Sequence, residues 1–234
     1  NVWVEPSGDL VFYIGKTDSW NADVYGSKGL MKVGRVRVSL SPSPLTAGAP
    51  FLQSLKLHEG EILVKEGSEA GGAQLHVWVD ANNPVIRVET KSHHPVSVKV
   101  SLEDWRINGG GDTIIPRQDN RIAWYHRNAA DANPHVANLT FGAVIKGPGL
   151  VTKDDSTLQS TPVTSQLVSI YPLTAATPTA NQWLDQLEQQ IAKVDRQNLE
   201  QTRRAHQIWW DQFWHRSWIF INGDDDARNV TQGY

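Results

Sequence analysis

Val96-Ser97-Val98-Lys99-Val100-Ser101-Leu102-Glu103 alternates apolar and polar residues without a break. Successive side chains of a strand point to opposite faces, so a period of two describes a strand with one buried and one wetted face. The same period recurs upstream. Val36, Val38 and Leu40 alternate with Arg35, Arg37 and Ser39, and Leu75, Val77 and Val79 with His76, Trp78 and Asp80. Further strands are predicted at Asn1–Glu5, Leu10–Ile14, Phe51–Leu57, Glu61–Lys65, Val85–Thr90, Arg121–His126, Ala137–Ile145 and Ser165–Tyr171. Turn formers separate them: Ser41-Pro42-Ser43-Pro44, Gly71-Gly72, Asn82-Asn83-Pro84, Gly109-Gly110-Gly111 and Gly147-Pro148-Gly149. Many short strands with no helical period between them point to an antiparallel sandwich or barrel, not to βαβ units. There is no fixed internal repeat.

At Pro172 the period changes. Thr177-Pro178-Thr179 reads as a helix entry, a capping Thr with Pro in the first turn. Leu184, Leu187, Ile191 and Val194 then form one apolar stripe at spacings of three and four. The stripe turns polar through Asp195–Arg204, so the helix either bridges solvent or breaks near Asp195. It resumes as His206, Trp209, Trp210, Phe213 and Trp214, an aromatic face too heavy for an isolated surface helix. Trp218-Ile219-Phe220-Ile221 reads as extended, Asn222–Asp225 as a turn, and Asp226 as the cap of a new helix. A helix of two turns is unstable alone, so the expectation is a fragment whose next domain lies beyond Tyr234.

The chain has 234 residues, 39% of them hydrophobic and 20% charged, enough to bury a core. A net charge of −3 speaks against a nucleic-acid partner. No apolar run approaches the ~18 residues of a membrane-spanning helix, so no membrane partner is expected. With no Cys there is no disulfide, thiol nucleophile or thiolate-bound zinc. The ten Trp suit a large core and also a surface on which sugar rings stack.

Catalytic motifs are mostly missing. There is no His-Glu-x-x-His, Gly-x-Ser-x-Gly, phosphate loop or dinucleotide fingerprint. His93 and His94 are adjacent on a strand, face opposite ways and cannot chelate one ion together. Asp224-Asp225-Asp226 lacks the spaced ligands of a calcium loop. No metal and no cofactor is therefore expected. The suggestive features are three polar-aromatic clusters at strand ends: Lys16–Trp20, Glu103-Asp104-Trp105-Arg106, and Trp124–Asn128. Each joins an aromatic platform to hydrogen-bonding groups, as the apolar face and hydroxyl rim of a sugar require. The same composition also serves a buried network tying loops together.

Asn1–Glu5, Gly8–Ile14, Lys16–Trp20, Leu30–Val38, Trp105-Arg106, Trp124–Asn128 and His206–Ile219 resemble the amino-terminal domain of a bacterial glycoside hydrolase-like family. That family is the domain of unknown function 5703, related to the α-L-fucosidases of glycoside hydrolase family 95. Its most specific stretch here is His206-x-x-Trp209-Trp210-x-x-Phe213-Trp214-x-Arg216-Ser217-Trp218. In such proteins a similar stretch is the linker helix between a β-supersandwich and an (α/α)6 barrel, and Asn229–Tyr234 looks like the opening of the first barrel helix. The Gly-Asn-Gly-Asp loop that usually precedes this region is missing. In family 95 the general acid and the water-activating residues belong to the barrel, so no catalytic residue is carried over.

The resemblance implies an all-β, galactose-mutarotase-like antiparallel supersandwich at 1–174, linker helices at 175–218 and the start of a barrel at 219–234. It also implies a secreted or periplasmic parent acting on polysaccharide, with the barrel and carbohydrate as partners and the sandwich a non-catalytic scaffold. Asp18, Trp20, Trp105, Arg106, His126, Arg127 and Asn128 are candidate sugar-rim residues, expected at the end of the sandwich toward the helical tail. Arg127 and Arg106 are expected to pair with Asp18 and Asp104. His206, Trp209, Trp210, Phe213, Trp214 and Trp218 are candidate domain-interface residues. The alternatives are a free-standing carbohydrate-binding module, or an aldose epimerase with His126 or His76 as its acid and a carboxylate base opposite.

Overall fold

The computed structural model describes residues 1–21, 29–103, 111–118 and 120–216. Among them are thirteen strands and two helices. The strands are β1 (Val2–Val4), β2 (Leu10–Trp20), β3 (Leu30–Ser41), β4 (Phe51–Lys56), β5 (Glu61–Glu66), β6 (Ala73–Val79), β7 (Ile86–Glu103), β8 (Thr113–Gln118), β9 (Arg121–Arg127), β10 (Leu139–Lys146), β11 (Val151–Asp154), β12 (Thr157–Gln159) and β13 (Val163–Ala176). The helices are α1 (Ala180–Asp195) and α2 (Leu199–Trp214).

Strand β7 organises the molecule. Its first half pairs with β6 and β13, and its second half, from Ser97, pairs with β3 and β12. Between the halves stand His93, His94 and Pro95, all exposed. Proline has no N–H for the ladder, and near it the register with β13 shifts from Lys91↔Ser165 to Val96↔Val163. One strand thereby serves two antiparallel sheets. The larger runs β4-β5-β6-β7-β13-β10-β9-β8 and the smaller β1-β2-β3-β7-β12-β11. The core lies between them, built from the inward positions of each strand, such as Val36, Val38, Val98, Val100, Trp124, Phe141 and Val168. Trp124 anchors the layers, packing on Gly34 and donating its Nε1–H to Val33 O at 2.8 Å.

A third layer covers the outer face of the larger sheet. Helix α1 buries Trp183, Leu187, Ile191 and Val194 against Ala123, Val144 and Tyr171. Each such side chain is worth roughly 1.5–3 kcal/mol on burial. Thr179 caps the helix by accepting from the Gln182 N–H at 3.2 Å. Pro178 therefore precedes the cap instead of sitting in the first turn. The helical pattern does break at Asp195: the side chain of Asn198 starts α2 by accepting from the Gln201 N–H at 3.0 Å.

The fold is thus all-β with two carboxyl-terminal helices. Three strands escape the sequence pattern. β8, β11 and β12 are edge or near-edge segments, and β11 with its turn carries Lys153, Asp154 and Asp155. Trp78 departs from its alternation in another way. Its place beside His76 and Asp80 suggests the wetted face, yet it is 2% exposed because α2 covers that face.

Candidate functional site

Alternation along β9 decides where the third polar-aromatic cluster goes. Ile122 and Trp124 face the core between the sheets, while Ala123 and Tyr125 face α1. His126 continues the first series. Its ring stacks on Phe141 with centroids 5.0 Å apart, and Nδ1 lies 3.8 Å from Asp112 Oδ1. Asn128, just past the strand, is buried and donates Nδ2–H bonds to Trp20 O at 2.9 Å and Val136 O at 3.0 Å. The first and third clusters therefore meet, through Asn128 and the Trp20 carbonyl.

On the outgoing arm of β2, Ser19 is fully buried, its Oγ 2.5 Å from Met31 O and 3.0 Å from Lys16 O. This turns Asp18 and Trp20 outward. The Trp20 indole is 40% exposed, with Nε1–H donating to Thr17 O at 3.1 Å, and Asp18 pairs with Lys16 at 3.1 Å. Lys16 also borders an open cleft of about 630 Å3 beside Phe12–Lys16, walled by Gly60–Ile62 and Trp78 and closed by Trp210. An exposed indole beside a carboxylate and an ammonium is suited to stacking on a sugar and bonding its hydroxyls.

Arg127 takes the other face. Its guanidinium donates to Asn138 Oδ1, Thr140 Oγ1, Thr177 O and Pro178 O, at 2.6–3.0 Å, which ties the sheet to the entry of α1. Its acceptors are thus carbonyls and a hydroxyl, and not the expected Asp18. Trp105 and Arg106, with Asp104, lie outside the described residues, as does Trp218.

Helix α2 carries a second surface. Arg203 reaches the larger sheet and bonds Glu61 at 2.5 Å and Glu89 at 2.6 Å, with its guanidinium over the Trp78 ring. Glu89 also accepts from Trp78 Nε1–H at 2.8 Å. Burial would raise the Glu61 carboxyl, but hydrogen bonding and charge from His76 and Arg203 hold it below the usual carboxylate range. His206 is 1% exposed; its Nδ1 accepts from the Ala81 N–H at 3.1 Å, which leaves Nε2–H to donate to Gly60 O at 3.2 Å. Burial pushes its pKa down, toward the neutral ring that this pairing needs.

Sequence reasoning did not find this cluster, because Glu61, His76, Glu89 and Arg203 come from four separate elements. His76 Nδ1 stands only 3.1 Å from Glu61. An acid and base in mutual contact, held by an arginine, leave no gap for a sugar ring, which weighs against epimerase chemistry there.

His206 and Trp210 are turned into the sandwich. Ile208, Trp209 and Phe213 are not: they are 49%, 37% and 40% exposed, the last two rings stacked 5.5 Å apart, with Trp214 half-buried beside them. The sequence stripe had no place for Ile208, which adjoins the aromatic patch.

Among functionally curated proteins nothing matches. Among solved structures, the chain is similar to one named provisionally as a kojibiose phosphorylase from the human microbiome, with 11% identity and a TM-score of 0.54. The match covers 98% of this chain and 41% of that one, and at such identity it speaks for the fold alone. The profile of the domain of unknown function (DUF5703) family matches residues 1–111 and 129–219, most of the chain, which belongs to that family.

Proposed function

We propose that this chain is the non-catalytic sandwich scaffold of a glycoside hydrolase-like protein, which presents the exposed face of α2 to a helical catalytic domain. The observation that carries the reading is the asymmetry of α2. One face is committed to the sheet through Arg203, His206 and Trp210, while Ile208, Trp209 and Phe213 stand in water. Large clustered apolar side chains at a surface mark a partner. The solved structure of similar fold, of which this chain spans 41%, is named for action on a disaccharide, and the resemblance to family 95 implies a polysaccharide; both are carbohydrates. In this reading Asp18 and Trp20 form one wall of the sugar site, and the reacting carboxylates belong to the partner domain.

The absence of cysteine makes a clean test possible. A thiol introduced by Trp209→Cys should react readily with a maleimide in the 234-residue chain. It should be strongly protected when the natural downstream polypeptide is present. Equal labelling in both would remove the docking role of α2. The 234-residue chain should also show no turnover of aryl glycosides; enzyme-like turnover abolished by a single Asp or Glu substitution would overturn the scaffold assignment.

A further inference from the structure

We propose that His58, Asp211 and His215 form a metal-binding clip, selective for zinc-like transition ions, that fastens the end of α2 to the turn between β4 and β5. One ligand-type atom from each of the three lies within 4.8 Å of the other two. The separations from the central carboxylate are 3.1 Å to His58 Nδ1 and 3.5 Å to His215 Nδ1. Zinc holds nitrogen and carboxylate ligands at about 2.0–2.1 Å, so the edge of its tetrahedron is roughly 3.3 Å. Two of the three ligand edges already match, and the third lies within 4.8 Å at an exposed site; for His215 to bind through Nδ1, its 2.7 Å contact with the Asp211 carbonyl has to open.

The chemistry agrees with the geometry. Two imidazoles and one carboxylate make a nitrogen-rich set that suits zinc, nickel or copper better than magnesium or calcium, which prefer all-oxygen shells. Asp211 and His215 are spaced i, i+4, so they share a face of α2. They also occupy the last turn and its cap, where the helix dipole favours a cation and no Lys or Arg of the helix is present. Arg216, next along, has its guanidinium over the Phe213 ring and its Nε–H on Gln212 O. His58 comes from the other end of the chain, 153 positions before Asp211, so an ion here cross-links distant segments. Sequence reasoning sees only His93-His94 as adjacent histidines; this trio has no local spacing to reveal it. A fourth coordination position is left for water or for an incoming group. The site adjoins Trp209, but its three ligands belong to this chain, so the inference does not rest on what covers the aromatic face.

The test is titration of the EDTA-stripped 234-residue chain with Zn2+ by calorimetry, paralleled by Co2+ absorption. The expected result is one ion per chain and a visible Co2+ band of four-coordinate intensity. His58→Ala, Asp211→Asn and His215→Ala should each weaken binding roughly tenfold or more. His135→Ala serves as an unaffected control. Zn2+ should raise Tm in the parent and not in His58→Ala, a comparison made within each variant and so insensitive to its metal-free stability. Absence of a saturable single site overturns the proposal, as does binding that survives His58→Ala or is lost instead in His93→Ala.

Discussion

The indole of Trp210 occupies the place that a side chain at position 60 would take: a Cβ on Gly60 would lie 2.0 Å from Trp210 Cδ1. Gly60 also has φ +65°, a left-handed conformation that favours glycine. Gly60→Ala therefore meets both backbone strain and overlap, at a combined cost of roughly 2–4 kcal/mol. Urea unfolding should show that loss. In a Trp210→Ala background the same substitution should cost much less, since only the backbone term remains. Equal costs in the two backgrounds would mean that α2 does not rest on this turn.

Arg203 neutralises two carboxylates at the helix–sheet seam, Glu61 with 7% and Glu89 with 17% of its side chain exposed. Arg203→Met keeps much of the apolar stem and removes the cation that the two carboxylates share, leaving Glu61 with His76 alone in contact. Removing one partner of a buried ion pair is more damaging than replacing all of it. Stability should fall by roughly 2–4 kcal/mol, and Glu61→Gln with Glu89→Gln should recover a large part. Failure of the double replacement to rescue Arg203→Met would show that packing, not charge, dominates the seam.

Two buried groups set opposite pH limits. Glu66 is 1% exposed, its oxygens have no hydrogen-bond partner among the described residues, and burial, with the charge of Asp9 adding, pushes its carboxyl up to about 7. A raised carboxyl pKa disfavours the ionised form in the fold. Its contribution is intact below the ordinary value of 4.5 and is lost as pH rises through about 7. Glu66→Gln should remove this alkaline decline, worth about 1–3 kcal/mol between pH 5 and 8. His206 acts in the other direction. With its pKa lowered by burial, stability is present above the ordinary histidine range and falls as acid protonates the ring that accepts from Ala81. A parent stability curve that is flat from pH 5 to 8 and unchanged by Glu66→Gln would contradict the first of these assignments.

Ten of the thirteen strands, and the break near Asp195 as one of two alternatives, were legible because period two and period 3.6 are local signals. Val96–Glu103 needs no partner to be read. The continuity of Val85–Thr90 with it across Pro95 was not legible, since only the switch between sheets explains a proline inside one long strand. Trp78 shows the same limit. Its alternation assigns it to solvent, and only the return of α2 from the far end of the chain buries it. The candidate rim was half legible. Trp20 and Asp18 point outward because Ser19 points inward, a local alternation, but Asn128 joins them through the Trp20 carbonyl across 108 positions. Nothing in Trp124–Asn128 foretells that Arg127 leaves its neighbours for Thr177 and Pro178.

Trp20 and Asn128 make the most discriminating pair for the rim, because one side chain is displayed and the other is structural. The indole of Trp20 is 40% exposed and contributes one bond to its own loop. Trp20→Ala should therefore change stability by less than about 1 kcal/mol. Asn128→Ala should cost roughly 1–3 kcal/mol, since it leaves the carbonyls of Trp20 and Val136 without their buried donor. If the proposed reading holds, Trp20→Ala in a protein carrying the proposed catalytic domain should raise KM several-fold with little change in Tm, the signature of lost stacking on a sugar. Asn128→Ala should lower Tm first and disturb KM only through the loop it holds. Comparing KM with Tm across the two variants separates a sugar wall from a loop tie. If Trp20→Ala lowers Tm by as much as Asn128→Ala and leaves KM unchanged, the indole is structural and the rim does not meet the substrate.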